Sequence, residues 1–302
     1  SMSELFSRVR EVGYYGESQS FSISTNTNSL SLGITLIATS SGDTDTTAPA
    51  IEQVTAIASP TSDSTPNYTF SSDETGTITY GGSCSSGITS ATSGNNTITL
   101  VSLNDGTYSD CTITVTDSAG NASSSLTMKS FVVDTTSPTV SSTSPSDSAS
   151  SVSIGSTISV TFSESIDNSS VTANTSNTTC SGTIQVSSLN FQYCVQMSST
   201  PSASNTNTTF SVTPSSNLSN ETTYATRITT GVKDLAGNAL GSTYTTSNGF
   251  ITADITAPTL YQVTAVSTPT NDNTPSYTFS STEAGTITYG GYCSSATTSA
   301  TT

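Results

Sequence analysis

Histidine and tryptophan are both absent from this 302-residue chain, and lysine and arginine together number only 5. Without histidine the commonest general base is missing, which excludes serine or cysteine hydrolysis by the usual triads. It also removes a common zinc ligand, and no C-x-x-C spacing occurs, so a zinc site lacks its usual parts. The five cations, Arg8, Arg10, Lys129, Arg227 and Lys233, are too scattered to follow a phosphate backbone, so nucleic acid is not an expected partner. Long apolar runs are missing as well. The longest candidate, Leu30 to Ala38, is broken by Ser and Gly and falls short of the roughly 20 apolar residues a membrane-spanning helix needs. The amino terminus lacks the usual secretory pattern, because Arg8 and Arg10 precede Gly-Tyr-Tyr-Gly instead of an apolar stretch. Ser1-Met2 reads as a cloning remnant.

What is present is acid and hydroxyl. The 21 acidic residues set a net charge of −16, which favours solubility and attracts divalent cations. Apolar residues make up 31% and charged residues 9%, and Ser, Thr, Asn and Gly dominate the rest, a composition that a disordered chain would share. Alternation decides between the two. Apolar residues recur at every second position in short blocks rich in Val, Ile, Tyr and Phe, which is the period of half-buried strands.

The chain also repeats itself. Ala48 to Cys84 reads APAIEQVTAIASPTSDSTPNYTFSSDETGTITYGGSC, and Ala257 to Cys293 reads APTLYQVTAVSTPTNDNTPSYTFSSTEAGTITYGGYC, aligned without a gap. Pro49 and Pro258, like Cys84 and Cys293, stand 209 positions apart, further than one sandwich extends. The stretch between the copies has its own pattern. The organisation is therefore an amino-terminal segment (1–47) of unknown structure, a type A sandwich (48–137), a type B sandwich (138–256) and the first part of a second type A sandwich (257–302). That last part holds about half the strands of its first copy. Truncation is the favoured reading; the alternative is completion by a strand from another chain or from residues 1–47, which would make a filament subunit.

In the first A module strands are expected near Gln53–Ile57, Asn67–Ser71, Gly76–Tyr80, Asn96–Val101, Cys111–Thr116 and Leu126–Val133. In B they are expected near Thr157–Phe162, Thr183–Ser187, Thr208–Val212, Thr223–Thr229 and Ser247–Thr252. Turn chemistry separates them at Gly81-Gly82, Asn104-Asp105-Gly106 and Asp117-Ser-Ala-Gly-Asn121. The fold class is all-β, tandem immunoglobulin-like sandwiches in an extended array.

The five cysteines pair economically as one bridge per module, Cys84 with Cys111 and Cys180 with Cys194. Cys293 is the second copy of Cys84 and is left without its partner. Bridges imply an oxidising compartment. Calcium is the one cofactor expectation, because acidic residues recur at the module junctions: Asp43, Asp45, Asp134 and Asp254 at the linkers, Asp117 and Asp234 opening the D-x-A-G-N turns. Asp and Asn also open turns for backbone reasons alone. Glu164 and Asp167 are the best-placed carboxylate pair for glycoside chemistry and read instead as structural positions, and a Lys–Asn isopeptide staple at Lys129 is the weaker covalent alternative to the disulfide. Tyr14, Tyr15, Tyr80, Tyr289 and Tyr292 read as packing residues, with a sticky aromatic patch as the rival.

Ser144-Pro-Ser-Asp147, Ile158-Ser-Val-Thr-Phe-Ser-Glu164, Thr222-Thr-Tyr224 and Gly231-Val-Lys-Asp-Leu-Ala-Gly-Asn238 resemble the bacterial Ig-like domain named after the S-layer protein SbsA, over about 120 residues. The Asp45-Thr-Thr-Ala-Pro49 junction and the Asp117 to Asn121 turn resemble the Ig-like repeats of large bacterial adhesins and biofilm proteins. These resemblances imply display at a bacterial surface or outside the cell, a structural or adhesive role and no catalysis. The expected partners are neighbouring modules, with a glycan, a matrix protein or identical subunits as further ones. The rival functions are a ligand-binding module and an accessory region of a secreted enzyme.

Overall fold

The computed structural model describes residues 45–188 and 190–301. The chain divides into a unit of residues 1–45 and a unit of residues 46–302, and the fold below is that of the second. It is almost entirely β, with one turn of 3-10 helix at Asn168–Ser170.

The first module contains β1 (Ile51–Thr55), β2 (Asn67–Ser72), β3 (Gly76–Gly81), β4 (Ser90–Ala91), β5 (Gly94–Thr99), β6 (Gly106–Tyr108), β7 (Thr112–Thr116), β8 (Leu126–Thr127) and β9 (Phe131–Val133). Two sheets carry it, ordered β1-β2-β5 and β4-β3-β7-β8, and β6 pairs with β9. All these pairings are antiparallel. Alternation does the work: in β2 Tyr68 and Phe70 point inward and are fully buried, and in β7 Ile113 and Val115 do the same from the other sheet. Each such burial contributes about 1.5–3 kcal/mol. The outward positions are hydroxyls that meet across strands, as Thr69 and Thr97 do at 2.9 Å. This is where the serine and threonine of the composition go.

One expected strand is corrected. Leu126–Val133 is two short strands on different partners: β8 extends the β7 edge through Ile113↔Leu126, whereas β9 pairs with β6 through Tyr108↔Phe131. Between them the chain changes partner, with the Lys129 N–H donating to Gln53 Oε1 at 3.1 Å. β4 and β6 were not expected, because two or three polar residues show no period. Gly82, at φ +72°, holds the turn after β3; a Cβ there would lie 2.1 Å from the Asp110 carbonyl oxygen, so no other residue fits without moving the chain.

The second module contains β10 (Val140–Ser144), β11 (Ile158–Phe162), β12 (Ile184–Ser187), β13 (Ser202–Ser204), β14 (Thr209–Val212), β15 (Thr223–Ile228), β16 (Tyr244–Thr245) and β17 (Phe250–Ile251). Its sheets run β10-β11-β14-β13 and β12-β15-β16, with β17 also on β15. Ile158, Val160, Phe162, Phe210 and Val212 face Ile184, Val186, Tyr224, Ile228 and Phe250 in a core separate from the first. Phe162 and Phe210 meet edge-on with centroids 6.0 Å apart. β12 is buried on both faces, and its Gln185 Oε1 accepts from Arg227, whose guanidinium lies 3.9 Å over the Phe191 ring.

A third segment contains β18 (Leu260–Thr264), β19 (Thr278–Ser281), β20 (Gly285–Thr286) and β21 (Ser299–Ala300), paired β18-β19 and β20-β21.

Candidate functional site

The D-x-A-G-N turns are built alike in both modules. Asp117 Oδ1 accepts from the Ala119 and Asn121 N–H groups at 2.8 and 2.9 Å, and its Oδ2 accepts from Asn121 Nδ2 at 2.8 Å. Asp234 does the same with Ala236 and Asn238, at 2.8, 2.9 and 2.8 Å. The backbone closes each loop, Asp117 N–H to Asn121 O and Asp234 N–H to Asn238 O, both at 3.0 Å. Gly120 and Gly237 supply φ of +95° and +97°. These donors hold the Asp117 carboxyl below the usual carboxylate range, the Asn121 side-chain bond being the largest cause.

In the second module the turn reaches the first. Asn238 Nδ2 also donates to the carbonyl oxygen of Asp134, the residue that follows β9, at 2.7 Å. The linker is gripped from the other side by Asp105, whose carboxylate accepts from the Thr135 N–H, Thr135 Oγ1 and Thr136 Oγ1 at 2.9, 2.7 and 2.6 Å. Those bonds lower the Asp105 pKa, Thr136 first. A loop of one module and a turn of the next thus hold the same short stretch of chain.

Carboxylates converge at this junction. Oxygens of Asp134, Glu164 and Asp234 lie within 4.8 Å of one another, with Asp234 buried and the other two half-buried. Glu164 is raised above its ordinary pKa, first by burial and then by the charges of Asp134, Asp234 and Asp105. Glu74 and Asp117 make the corresponding approach in the first module, again within 4.8 Å. Glu164, which the sequence marks as a structural position and not as a ligand, thus joins the junction acids. The pairs are separated by 43 and 70 positions in the two modules, so no fixed spacing announces them.

Asp43, Tyr14 and Tyr15 fall outside the described residues, and Asp45 is exposed. Asp254 is exposed and caps its own turn through the Thr256 N–H at 2.8 Å. Asp167 caps the 3-10 turn, accepting from the Ser169 N–H and Oγ at 2.9 and 2.8 Å. Tyr80 and Tyr289 brace equivalent turns by donating to the Ile88 and Thr297 carbonyls at 2.5 and 2.6 Å. Tyr292 is fully exposed. Cys84 is bonded to Cys111 and Cys180 to Cys194, with Cα atoms 5.2 and 4.9 Å apart, and Cys293 is free and exposed.

As a cation site the junction is partial. Both lone-pair directions of Asp234 Oδ1 are taken by its own loop, so Asp234 has little more than Oδ2 to offer. Three carboxylates supply fewer than the six to eight oxygens calcium takes, the balance falling to water. Among the described residues no helix is long and apolar enough to cross a membrane.

Comparison with known proteins places these modules. The profile of a bacterial Ig-like domain family matches residues 134–252, and that of a second bacterial Ig-like domain family matches residues 35–135. A search of curated proteins finds no match. Among solved structures, the N-terminal part of the bacterial S-layer protein SbsC is similar at 20% identity with a TM-score of 0.29, over 42% of this chain and 26% of that one. The chain thus spans about a quarter of the length of that solved chain. The family matches together with the two sandwiches make this chain a bacterial Ig-like repeat protein.

Proposed function

We propose that the chain is a surface-displayed spacer, in which Ig-like modules hold a more distal part of an array away from the cell. The observation that carries this reading is the A–B junction, where Asn238 and Asp105 clamp the linker from opposite modules. A mechanical element needs joints of defined geometry, and such a clamp supplies one. Two disulfides fit an oxidising, extracellular setting. The matched families are typically non-catalytic, and the two carboxylates weighed for glycoside chemistry serve a turn cap and a module junction. The longest described strands have six residues, so each sandwich adds roughly 20 Å of strand length to the reach. Small-angle scattering of the 302-residue protein tests this: a maximum dimension growing by about that length per module supports the spacer, and a compact particle refutes it.

A second reading concerns the cofactor. The Asp134, Glu164 and Asp234 carboxylates, packed together at like charge, favour a divalent cation such as calcium between the modules. Calorimetry with calcium against chelator checks it: a rise in melting temperature that Asp234→Asn abolishes supports the site, and superimposable scans reject it.

A further inference from the structure

The sequence contains one Asn-Gly pair, Asn248-Gly249, at the entrance to β17. The fold demands its second residue. Gly249 is buried with φ +71°, and a Cβ there would lie 2.4 Å from the carbonyl oxygen of Tyr224 in β15, the strand that β17 joins through Tyr224↔Phe250. Asn248 itself is exposed. An asparagine before glycine is the pair most prone to cyclise, because no side chain shields the glycine nitrogen from the asparagine Cγ. The turn that needs Gly249 therefore also creates a reactive position.

Both atoms of that reaction are tied down. Asp147, in the segment after β10, is half-buried, and its Oδ1 accepts from the Asn248 N–H at 2.9 Å and from the Gly249 N–H at 2.7 Å. The Gly249 nitrogen is the atom that must attack, and it has to leave the carboxylate to do so. Asn248 Nδ2, the leaving group, donates to Ser148 Oγ at 3.0 Å, and the Ser148 N–H donates to the Gly249 carbonyl at 2.6 Å. The Ile251 N–H continues the anchorage by donating to the Ala149 carbonyl at 2.7 Å. Cyclisation swings Asn248 Cγ onto the Gly249 nitrogen and gives up the Asp147 and Ser148 bonds together.

We propose that Asn248 is a self-modification site, deamidated with water as the co-reactant and held in its amide form by Asp147. The Gly249 nitrogen bonds to Asn248 Cγ, the Cγ–Nδ2 bond breaks, and the Gly249 proton leaves with Nδ2 as ammonia. Water then adds to either carbonyl of the five-membered imide and opens it to aspartate or isoaspartate at position 248. One water is consumed and one ammonia released, with no change in oxidation state. A hydrogen bond from the attacking nitrogen to a carboxylate holds the rate down by about 10- to 100-fold. The product reinforces itself: a carboxylate takes the place of the amide that donated to Ser148, in the same turn as the Asp147 carboxylate, so like charges meet where β17 is fastened. Each chain thus carries an irreversible record of how long this corner has stood open. The proposal stands independently of the spacer reading.

The test incubates the full 302-residue chain at neutral pH, native and unfolded in urea, and follows residue 248 by peptide mass mapping, with isoaspartate told from aspartate by its fragment ions. Native Asn248 should convert at least about 10-fold more slowly than the unfolded chain, and Asp147→Ala should raise the native rate about 10- to 100-fold while hydrogen exchange at β11 and β15 stays that of the wild type. Asp147→Asn, which keeps an acceptor without the charge, should fall between the two. If Asp147→Ala loses protection at β11 and β15, Asp147→Asn and the wild-type comparison decide. The proposal is overturned if native Asn248 converts as fast as in urea, or if a folded Asp147 variant converts at the wild-type rate or more slowly, the slower rate making Asp147 the base for the attack instead of its restraint.

Discussion

Replacing Cys84 and Cys111 together by alanine tests how the first module, with its thin core, remains folded. The bridge closes a loop of 27 positions. The chain-entropy relation assigns such a loop about 12 cal/mol/K, or about 3.5 kcal/mol at 25 °C. The 14-position loop of the second module gives about 3.0 kcal/mol. Cys84 and Cys111 are 3% and 1% exposed, so the alanines also leave gaps that add on the order of 1 kcal/mol. Against a typical domain stability of about 5–15 kcal/mol, this loss removes a large share. Native-state hydrogen exchange resolves it by module, reading β2 and β7 for the first and β11 and β15 for the second. The expected outcome is a fall in protection on the order of a thousand-fold or more at β2 and β7, with β11 and β15 unchanged. Unchanged protection at β2 would refute the constraint argument, and an equal fall at β11 would refute independent folding of the modules.

Asn238→Ala removes the donor to the Asp134 carbonyl and to Asp234 Oδ2, which costs about 1–2 kcal/mol in the second module and widens the distribution of inter-module angles seen by NMR residual dipolar couplings. Glu164→Gln should stabilise at neutral pH: with the folded pKa raised above the unfolded one, wild-type stability declines as pH rises through the folded pKa, and urea titrations across pH should show that decline disappear in the variant. Asp105→Asn should do the reverse, since a lowered folded pKa stabilises above the unfolded pKa and is lost as pH falls through the folded value. Tyr68→Phe should gain about 1 kcal/mol in the same titrations, because the Tyr68 hydroxyl is buried with no hydrogen-bond partner; a loss of stability would count against that reading.

Most of the strands were legible because a half-buried strand writes its period into the sequence. Asn67–Ser72, Gly76–Gly81, Thr112–Thr116 and Ile158–Phe162 show their inward residues plainly. Ser90–Ala91, Gly106–Tyr108 and Ser202–Ser204 were not legible: they are short, polar and held by a neighbour's backbone. Leu126–Val133 reads as one continuous strand in the sequence because apolar spacing does not reveal which partner each half adopts. At the junction, Asp134 and Asp234 were visible as acids near linkers, but their meeting with Glu164 depends on how sheets from both sides of the linker return to it.

The sequence by itself determined the all-β class, the repeat and the exclusion of triad hydrolysis, since these follow from local period, copied residues and missing side chains. Tertiary structure decided which residues work together. Leu126 and Phe131 lie in one apolar stretch, yet the first pairs with Ile113 of β7 and the second with Tyr108 of β6. The difference is made by the strands that come to lie beside each half, and pairing is a property of such neighbours that no local stretch of sequence can carry.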